Sequence, residues 1–424
     1  MADPLLHIKD GYYFEVPKFL WPSRRTSRED FPEHYIRNDD HYQDWEAARQ
    51  YEGLLRIQTL SDVPRKDGLL EQYHAWRHQP ANFAKPFDRF LEEAPSQAWF
   101  QRQLALGKFS GQLRNETRQE WEARKDRAEA SREAWQHVKE EAEDVQLYIA
   151  ETPEWSAEKI DQYNRFLDGK ILIPQPFAKL QNNYQKESGF AISKFMILEA
   201  IVAVALVLLF KRLATKSQFG RPVRGRLWNM FEAFLLFIRN DIAKPAIGGH
   251  DADRFVPLLW TIFMFVLTCN LLGMLPWLGA PTGSFSVTLA LALVTFATVV
   301  VSGSRRFGVV GFWKNQVPHM GLPIYLAVVI VPMMFAIEVL GLFIKHAVLG
   351  FRLLANMVAG HLVLLSIMGL AVAAAASVSW PYVALASVVG SAILSLLELF
   401  VAFLQAYVFT FLSALFIGSA VHHH

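Results

Sequence analysis

The stretch GFRLLANMVAGHLVLL, residues 350–365, places an obligately charged guanidinium inside a long apolar tract. That tract runs from Leu322 to about Val421, and its clearest break is SVSWP at 377–381, where proline disfavours continuation of a helix. The pattern predicts two long antiparallel helices, over 322–377 and 381–420. Because an ionisable group inside lipid costs several kcal/mol, Arg352 is a candidate functional residue. The alternative is an arginine that snorkels to the interface or forms a static ion pair.

Polar residues on the two predicted helices fall in register about the break between them. In an antiparallel pair, residues at one depth lie at equal distances along the chain from the turn. This relation matches Arg352 with Gln405 and His361 with Glu398, since both midpoints fall within the SVSW segment. The sequence therefore predicts two polar pairs at two depths of the membrane.

Helix periodicity assigns these residues to faces and indicates a tilt. At 100° per residue, Asn356 and Glu338 share the face of Arg352, whereas His361 points to the other side of the same helix. About 26 residues, or roughly 39 Å of helix, separate Arg352 from the turn, whereas half a hydrocarbon core is only about 15 Å. We expect a strongly tilted pair, which suits packing against a curved protein surface.

Composition divides the chain near Gly189. Residues 1–190 carry 27 Lys+Arg and 33 Asp+Glu, whereas residues 191–424 carry 15 and 7. So few acidic residues in the second part indicate a membrane domain, predicted over 189–424, after an extramembrane N-terminal extension over 1–188. The extension is expected to be mostly helical, with a charged helical rod at about 114–151. Its narrow apolar stripe suits either packing on its own domain or binding a partner.

The expected fold is an all-α polytopic membrane protein with five transmembrane helices. A cluster of six basic residues at 211–226 follows the first span and marks the cytoplasmic or matrix side by the positive-inside rule. The segment after it alternates apolar and polar residues as an amphipathic helix in the membrane plane does. The predicted elements are TM1 192–212, the in-plane helix 222–246, TM2 255–278, TM3 284–304, TM4 322–377 and TM5 381–420.

Several function classes are excluded or disfavoured. No Gly-rich phosphate loop of the Walker type occurs, so any nucleotide chemistry is expected on another chain. One cysteine, Cys269, cannot form an intrachain disulfide. The first residues, MADPLLHIKDGYYFEVPKFLWP, have neither the pattern of a secretory signal nor that of a transit peptide. We expect no cofactor, no metal and no nucleic-acid partner.

The polar residues of the membrane domain resemble the signature of subunit a of F-type ATP synthases. The resemblance rests on RLLANMVAGH at 352–361, on Glu338 fourteen residues ahead, on ELFVAFLQAYVF at 398–409, and on NLLGMLP at 270–276 with the amphipathic RGRLWNMFEAFLLFIR segment. It covers roughly residues 186–421, and the order and spacing of these motifs make it specific. Residues 1–185 lie outside it.

The resemblance implies roles for individual residues. Arg352 is similar to the arginine that faces the ring of c subunits, where it keeps the passing carboxylate ionised and separates two offset half-channels. His361 and Glu398 match a pair in the half-channel open to the N-terminal side, and Glu338 would line the opposite one. Further ion-pathway residues implied by the resemblance are Asn356 and Gln405 beside the arginine, and Asn270, which equally suits helix packing.

The resemblance also implies partners and location. The partners would be the c-subunit ring, the peripheral-stalk subunit b, the rest of the ATP synthase and the lipid bilayer, and the extension could contact another subunit or a second complex. The chain would be a non-catalytic subunit in the bacterial inner membrane, with its N-terminal region periplasmic and its C-terminus cytoplasmic; the mitochondrial inner membrane is the alternative. Two other functions remain open, a stand-alone ion channel or secondary transporter and a non-conducting scaffold.

Overall fold

The structure is a computed structural model that describes residues 10–58, 60, 63–83, 85–104, 117–217, 225–249, 251–275, 278–317, 324–375 and 380–422. It divides into two compact units. One comprises Glu15–Ala191, and the other comprises Ile192–His424 together with the chain up to Phe14.

The unit Glu15–Ala191 is built mainly of short helices. Its helices are α1 Glu33–Arg37, α2 Asp40–Arg56, α3 Lys66–Arg77, α4 Phe87–Glu93, α5 Ala98–Leu104, α6 Arg118–Ala142, α7 Val145–Glu151 and α8 Ala157–Leu167. Its strands are β2 Lys170–Leu172, β3 Ala178–Asn182 and β4 Gln185–Gly189, and β1 Tyr13–Glu15 lies at the boundary. The N-terminal region is thus mostly helical, as expected.

The predicted rod over 114–151 is two helices, not one. Helix α6 begins at a capping box in which Thr117 accepts from the backbone N–H of Glu120 and Glu120 accepts from that of Thr117. It ends at Ala142 because Asp144 adopts an extended conformation and caps α7 by accepting from the next backbone N–H groups. The apolar stripe of α6 is buried within its own unit, where the ring of Trp135 packs edge-on against Phe100.

A small β-hairpin, absent from the sequence prediction, precedes the membrane unit. Strands β3 and β4 pair antiparallel with Ala178 opposite Gly189 and Asn182 opposite Gln185. The side-chain oxygen of Asn182 accepts from the backbone N–H groups of Tyr184 and Gln185, which closes the turn.

The second unit contains the apolar helices. They are α9 Lys194–Ser217, α10 Arg226–Phe237, a π-helical turn Ile238–Ala243, α11 Lys244–Ile247, α12 Ala252–Gly273, α13 Phe285–Phe307, α14 Val309–Lys314, α15 Ile324–Ala373 and α16 Trp380–Val421. Within the described residues, four helices are long and apolar enough to cross a membrane, namely α12, α13, α15 from Ile330 onward, and α16. Helix α9, the predicted TM1, is not among them, since Glu199, Lys211 and Arg212 interrupt its apolar run.

The amphipathic segment packs its apolar side on α12 and α16. Ile238, Ile242 and Ile247 are fully buried in the core of the unit. On the polar side, the guanidinium of Arg239 donates two hydrogen bonds of 2.7 Å to the carboxylate of Asp253 at the start of α12. The segment packs closely on α16. The carbonyl of Ala246 lies directly against Gly418 of that helix, so a methyl group at position 418 would clash with it.

Helix α9 is capped by a residue far away in sequence. The Asp10 carboxylate accepts a hydrogen bond of 3.3 Å from the backbone N–H of Phe195, and the backbone N–H of Lys194 donates to the carbonyl of Gly11 at 2.9 Å. Ser193 also accepts from the backbone N–H of Met196. Two side chains thus satisfy N–H groups that the first turn of a helix leaves unpaired.

Candidate functional site

His361 and Glu398 meet between the two long helices. Nδ1 of His361, on α15, lies 2.6 Å from Oε1 of Glu398, on α16. The other ring nitrogen, Nε2, lies 2.9 Å from the carbonyl oxygen of Gly273 at the end of α12. Both side chains are largely buried, at 19% and 13% exposure. Three helices therefore fix one imidazole and one carboxyl group.

The surroundings of the imidazole determine where its protons sit. A backbone carbonyl oxygen only accepts hydrogen bonds, so Nε2 of His361 must carry a hydrogen and donate it to Gly273. Nδ1 faces Oε1 of Glu398 at 2.6 Å, and the two groups form an ion pair when the imidazole is protonated.

Gly360 makes room for this carboxyl group. A methyl group at Gly360 would lie 3.1 Å from Oε1 of Glu398, which is closer than most carbon–oxygen contacts. Sequence reasoning missed this role, although the glycine directly before His361 in a helix was a visible signal.

Beside the pair lies a small cavity that brings together other predicted ion-pathway residues. Its volume is about 10 Å³, near the lower limit for one water molecule. Polar side chains from three helices line it, namely Asn270, Asn356, Glu398 and Gln405. Gln405 is buried at 6% exposure, whereas Asn356 is exposed.

Asn270 is a buried amide whose two polar ends are both engaged. Its Nδ2 donates to the carbonyl of Ala402 on α16 at 3.3 Å, and its Oδ1 accepts from the hydroxyl of Thr282 at 2.7 Å. These bonds join α12 to α16 and to the turn before α13. Of the two interpretations of Asn270, this geometry favours helix packing, with one edge of the amide lining the cavity.

Arg352 lies on the exposed face of α15. Its neighbours Leu349 and Leu353 are buried, so the helix packs on the unit by the opposite face. The arginine side chain is exposed and forms no ion pair or hydrogen bond with the residues that the structure describes. Arg352 forms no hydrogen bond with Gln405, the residue matched to it in depth by the register; Gln405 is buried, whereas Arg352 is exposed.

Small residues flank Arg352 on this face. Ala355 and Ala359 follow it at intervals of about one turn, and both are exposed. Most other exposed residues of α15 and α16 are apolar, and they include Val348, Val363, Leu396 and Phe400. Two exposed cations, Lys345 and Arg352, thus lie two turns apart on a broad and mostly apolar surface.

Glu338 lies about four turns before Arg352 on α15 and is half-buried. Among the described residues it has no hydrogen-bond or ion-pair partner. Its separation of 14 residues from Arg352 corresponds to about 21 Å along the helix. Glu338 and the His361–Glu398 pair therefore lie on opposite sides of Arg352 along α15.

Comparison with known proteins identifies the family. The family model described as ATP synthase A chain matches residues 195–418. The "ATP synthase subunit a" of Myxococcus xanthus (strain DK1622) is 40% identical over 237 residues, which cover 55% of this chain and 75% of that protein. That of Chloroherpeton thalassium (strain ATCC 35110 / GB-78) is 37% identical over 270 residues, covering 63% and 78%. That of Anaeromyxobacter dehalogenans (strain 2CP-1 / ATCC BAA-258) is 45% identical over 201 residues, covering 47% and 50%.

The matched range coincides with the apolar helices and leaves the unit Glu15–Ala191 outside it. Bacterial relatives and membrane-spanning helices together indicate a multi-pass protein of the bacterial inner membrane, which takes part in ion transport and is not an enzyme on its own. The chain belongs to the family of ATP synthase subunit a, the ion-conducting membrane subunit of F-type ATP synthases.

Proposed function

We propose that this chain carries protons through two offset half-channels to a neighbouring ring of c subunits, with Arg352 between them. The observation that carries the proposal is the position of Arg352, an exposed cation on the mostly apolar outer face of α15 that lies between Glu338 and the His361–Glu398 pair along that helix. A guanidinium stays charged at any physiological pH, so it repels a proton or Na⁺ that would pass directly between the half-channels.

Arg352 would also discharge each arriving carboxyl group of the ring. An opposite charge within about 4–6 Å lowers the pKa of a carboxyl group, so the bound proton is released. The exposed Ala355 and Ala359 support this role, since small side chains allow a partner helix to approach closely. The membrane potential then drives the ring onward, at about 2.3 kcal/mol per charge per 100 mV.

His361 and Glu398 would form the proton relay of the half-channel on the N-terminal side. The imidazole and the carboxyl group lie 2.6 Å apart, and a pair of histidine and carboxylate can pass protons on near neutral pH. The adjoining cavity, with Asn356 and Gln405 in its wall, offers a position for a water molecule on the way to Arg352. Glu338 would line the half-channel on the other side.

The proposed membrane arrangement has five crossings. Helix α9 has 24 residues, about 36 Å, which is enough to cross a hydrocarbon core of about 30 Å. Its charged end carries Lys211, Arg212 and Lys216, which favours a cytoplasmic location for that end, with the N-terminal region periplasmic and the C-terminus cytoplasmic. The amphipathic segment Arg226–Ile247 would lie in the membrane plane, and α15 and α16 would be tilted along the ring. Subunit b is the proposed partner on the stalk side.

Replacement of Arg352 tests the proposal. In assembled complexes, R352A and R352Q should abolish ATP-driven proton pumping and proton-driven ATP synthesis, while ATP hydrolysis persists or becomes uncoupled. The matched control is K345A, which removes an exposed cation two turns away on the same helix and should retain coupling. Normal coupling in R352A would overturn the proposal and favour a scaffold. Ion conduction by the purified chain alone in liposomes would favour the stand-alone channel.

A further inference from the structure

A groove lies between α12 and α13 where both helices pack on α16. It has a volume of about 630 Å³, and Val421 of α16 contributes to its lining. Away from its arginines the lining is mostly apolar; it comprises Phe255, Leu258, Val294, Ala297 and Val301, together with the small polar residues Thr298 and Ser302. Val294 and Val301 are about half exposed, so the groove is open to the surroundings of the helices.

The upper end of the groove is strongly basic. Arg254 in the first turn of α12 and Arg305 and Arg306 in the last turn of α13 line it, against one acidic residue, Asp251. Arg306 lies 4.0 Å from the Asp251 carboxylate, a weak and partly exposed pair. The guanidinium groups of Arg254 and Arg305 form no ion pair or hydrogen bond with any residue in the described ranges. The end of the groove therefore carries a net charge of about +2.

We propose that this groove binds an anionic phospholipid, with its phosphate at the three arginines and one acyl chain along the apolar walls. Arginine forms bidentate hydrogen bonds to phosphate oxygens, and basic pockets between membrane helices on the cytoplasmic side suit acidic head groups. The N-terminal end of α12, at Arg254, adds the partial positive charge of the helix dipole.

The length of the groove favours a lipid over a transmembrane helix of another subunit. On α13 its lining runs from Val294 to Arg306, twelve residues or about 18 Å. That distance matches one leaflet of about 15 Å, which one acyl chain fills, whereas a partner helix would need contacts over about 30 Å. The charges lie at one end only, as the head group of a lipid requires.

The proposal is tested on the assembled ATP synthase. The complex is stripped of loosely bound lipid in detergent, and binding of added phosphatidylglycerol or phosphatidylcholine is measured by native mass spectrometry. We expect tight binding of one phosphatidylglycerol that R305Q/R306Q weakens at least tenfold. A297W, which fills the groove without changing its charge, should weaken it as much. K211Q/R212Q removes two exposed charges from α9, outside the groove, and should bind as the wild type does.

Wild-type binding by either R305Q/R306Q or A297W would overturn the proposal, as would equal binding of phosphatidylcholine at this site. A photoreactive residue at position 301 supplies an independent measurement, because it leaves the arginines of the groove unchanged. On illumination it should crosslink to the bound lipid and so add the mass of a phospholipid to this chain. Crosslinking of position 301 to a helix of another subunit would identify a protein partner instead and overturn the lipid assignment.

Discussion

Gly360 of α15 lies directly against the carboxyl group of Glu398 on α16, so a methyl group there would come 3.1 Å from Oε1. We therefore predict that G360A displaces the carboxyl group by a few tenths of an ångström and changes its separation from the imidazole of His361. Proton-driven ATP synthesis should fall about two- to tenfold, and G360V should lower it further. Gly369 of the same helix is the matched control, since a methyl group there meets nothing within 4 Å. Equal losses in G360A and G369A would show that the effect comes from the helix and not from the carboxyl group.

Exchange of the two residues of the relay tests whether they act as a pair. H361A and E398A each remove one member of the pair, so each should reduce proton flow more than tenfold. The exchanged variant H361E/E398H retains one carboxyl and one imidazole group and should recover part of the activity. Proton-driven ATP synthesis in membrane vesicles measures the outcome. If the exchanged variant is no more active than the single variants, proton flow depends on the contact of His361 with Gly273 more than on the pairing of the two side chains.

Asn270 provides a prediction about packing. Its amide bridges Thr282 and the carbonyl of Ala402, so N270L should leave buried polar groups unpaired at a cost of about 1–3 kcal/mol. T282V removes one of the same bonds, and the double variant N270L/T282V should cost less than the sum of the two changes. The thermal stability of the assembled complex is the measurement. A loss of proton conduction in N270L without a loss of stability would instead assign Asn270 to the ion pathway.

A buried carboxyl group should make the stability of the extramembrane unit depend on pH. Glu46 is fully buried, and burial raises its pKa from 4.5 to about 8, although the Arg37 charge opposes the shift. The folded state thus binds this proton more tightly than the unfolded state, so the free energy of unfolding falls as pH rises from about 4.5 to 8. The expected loss is a few kcal/mol, at about 1.4 kcal/mol per pKa unit.

In E46Q that dependence should disappear, because the amide does not titrate. The pH dependence of the free energy of unfolding is measured between pH 5.5 and 8.5 by hydrogen exchange of the α2 amides in the assembled complex. The exchange rates are corrected for the intrinsic effect of pH. E52Q changes an exposed carboxylate on the same helix and should keep the wild-type slope. The same slope in E46Q and in the wild type would mean that another group is responsible.

Much of the membrane site could be predicted because it depends on register. Two long helices joined near residue 379 must bring His361 opposite Glu398, and the structure has helices ending at Ala373 and beginning at Trp380. The same reasoning matches Arg352 with Gln405 in depth; the two side chains form no hydrogen bond in the structure, and their role as a pair stays a prediction. The depth of a side chain in the membrane follows from counting residues along the helix. The direction in which it points depends on the rotation of the helix about its axis, and here Gln405 is buried whereas Arg352 is exposed.

Other features depend on contacts that local sequence does not show. The break after Ala142 follows from Asp144, one acidic residue among many in that stretch. The hairpin at 178–189 lacks the alternation of apolar and polar residues that identifies strands. In contrast, Ser156 caps α8 and Gly169 follows its end with a positive φ of 76°, as strong local signals predict.

The hydrogen bonds that tie Asp10 and Gly11 to Phe195 and Lys194 have a consequence for protein engineering. The chain leaves and returns to the membrane unit at adjoining points, so Glu15–Ala191 is topologically an insert and not a tail. A short Gly/Ser linker in place of that segment should preserve the cap of α9 and leave the conducting helices joined in their native order. Measurements on such a minimal chain would show which functions need only the membrane helices and which also need Glu15–Ala191.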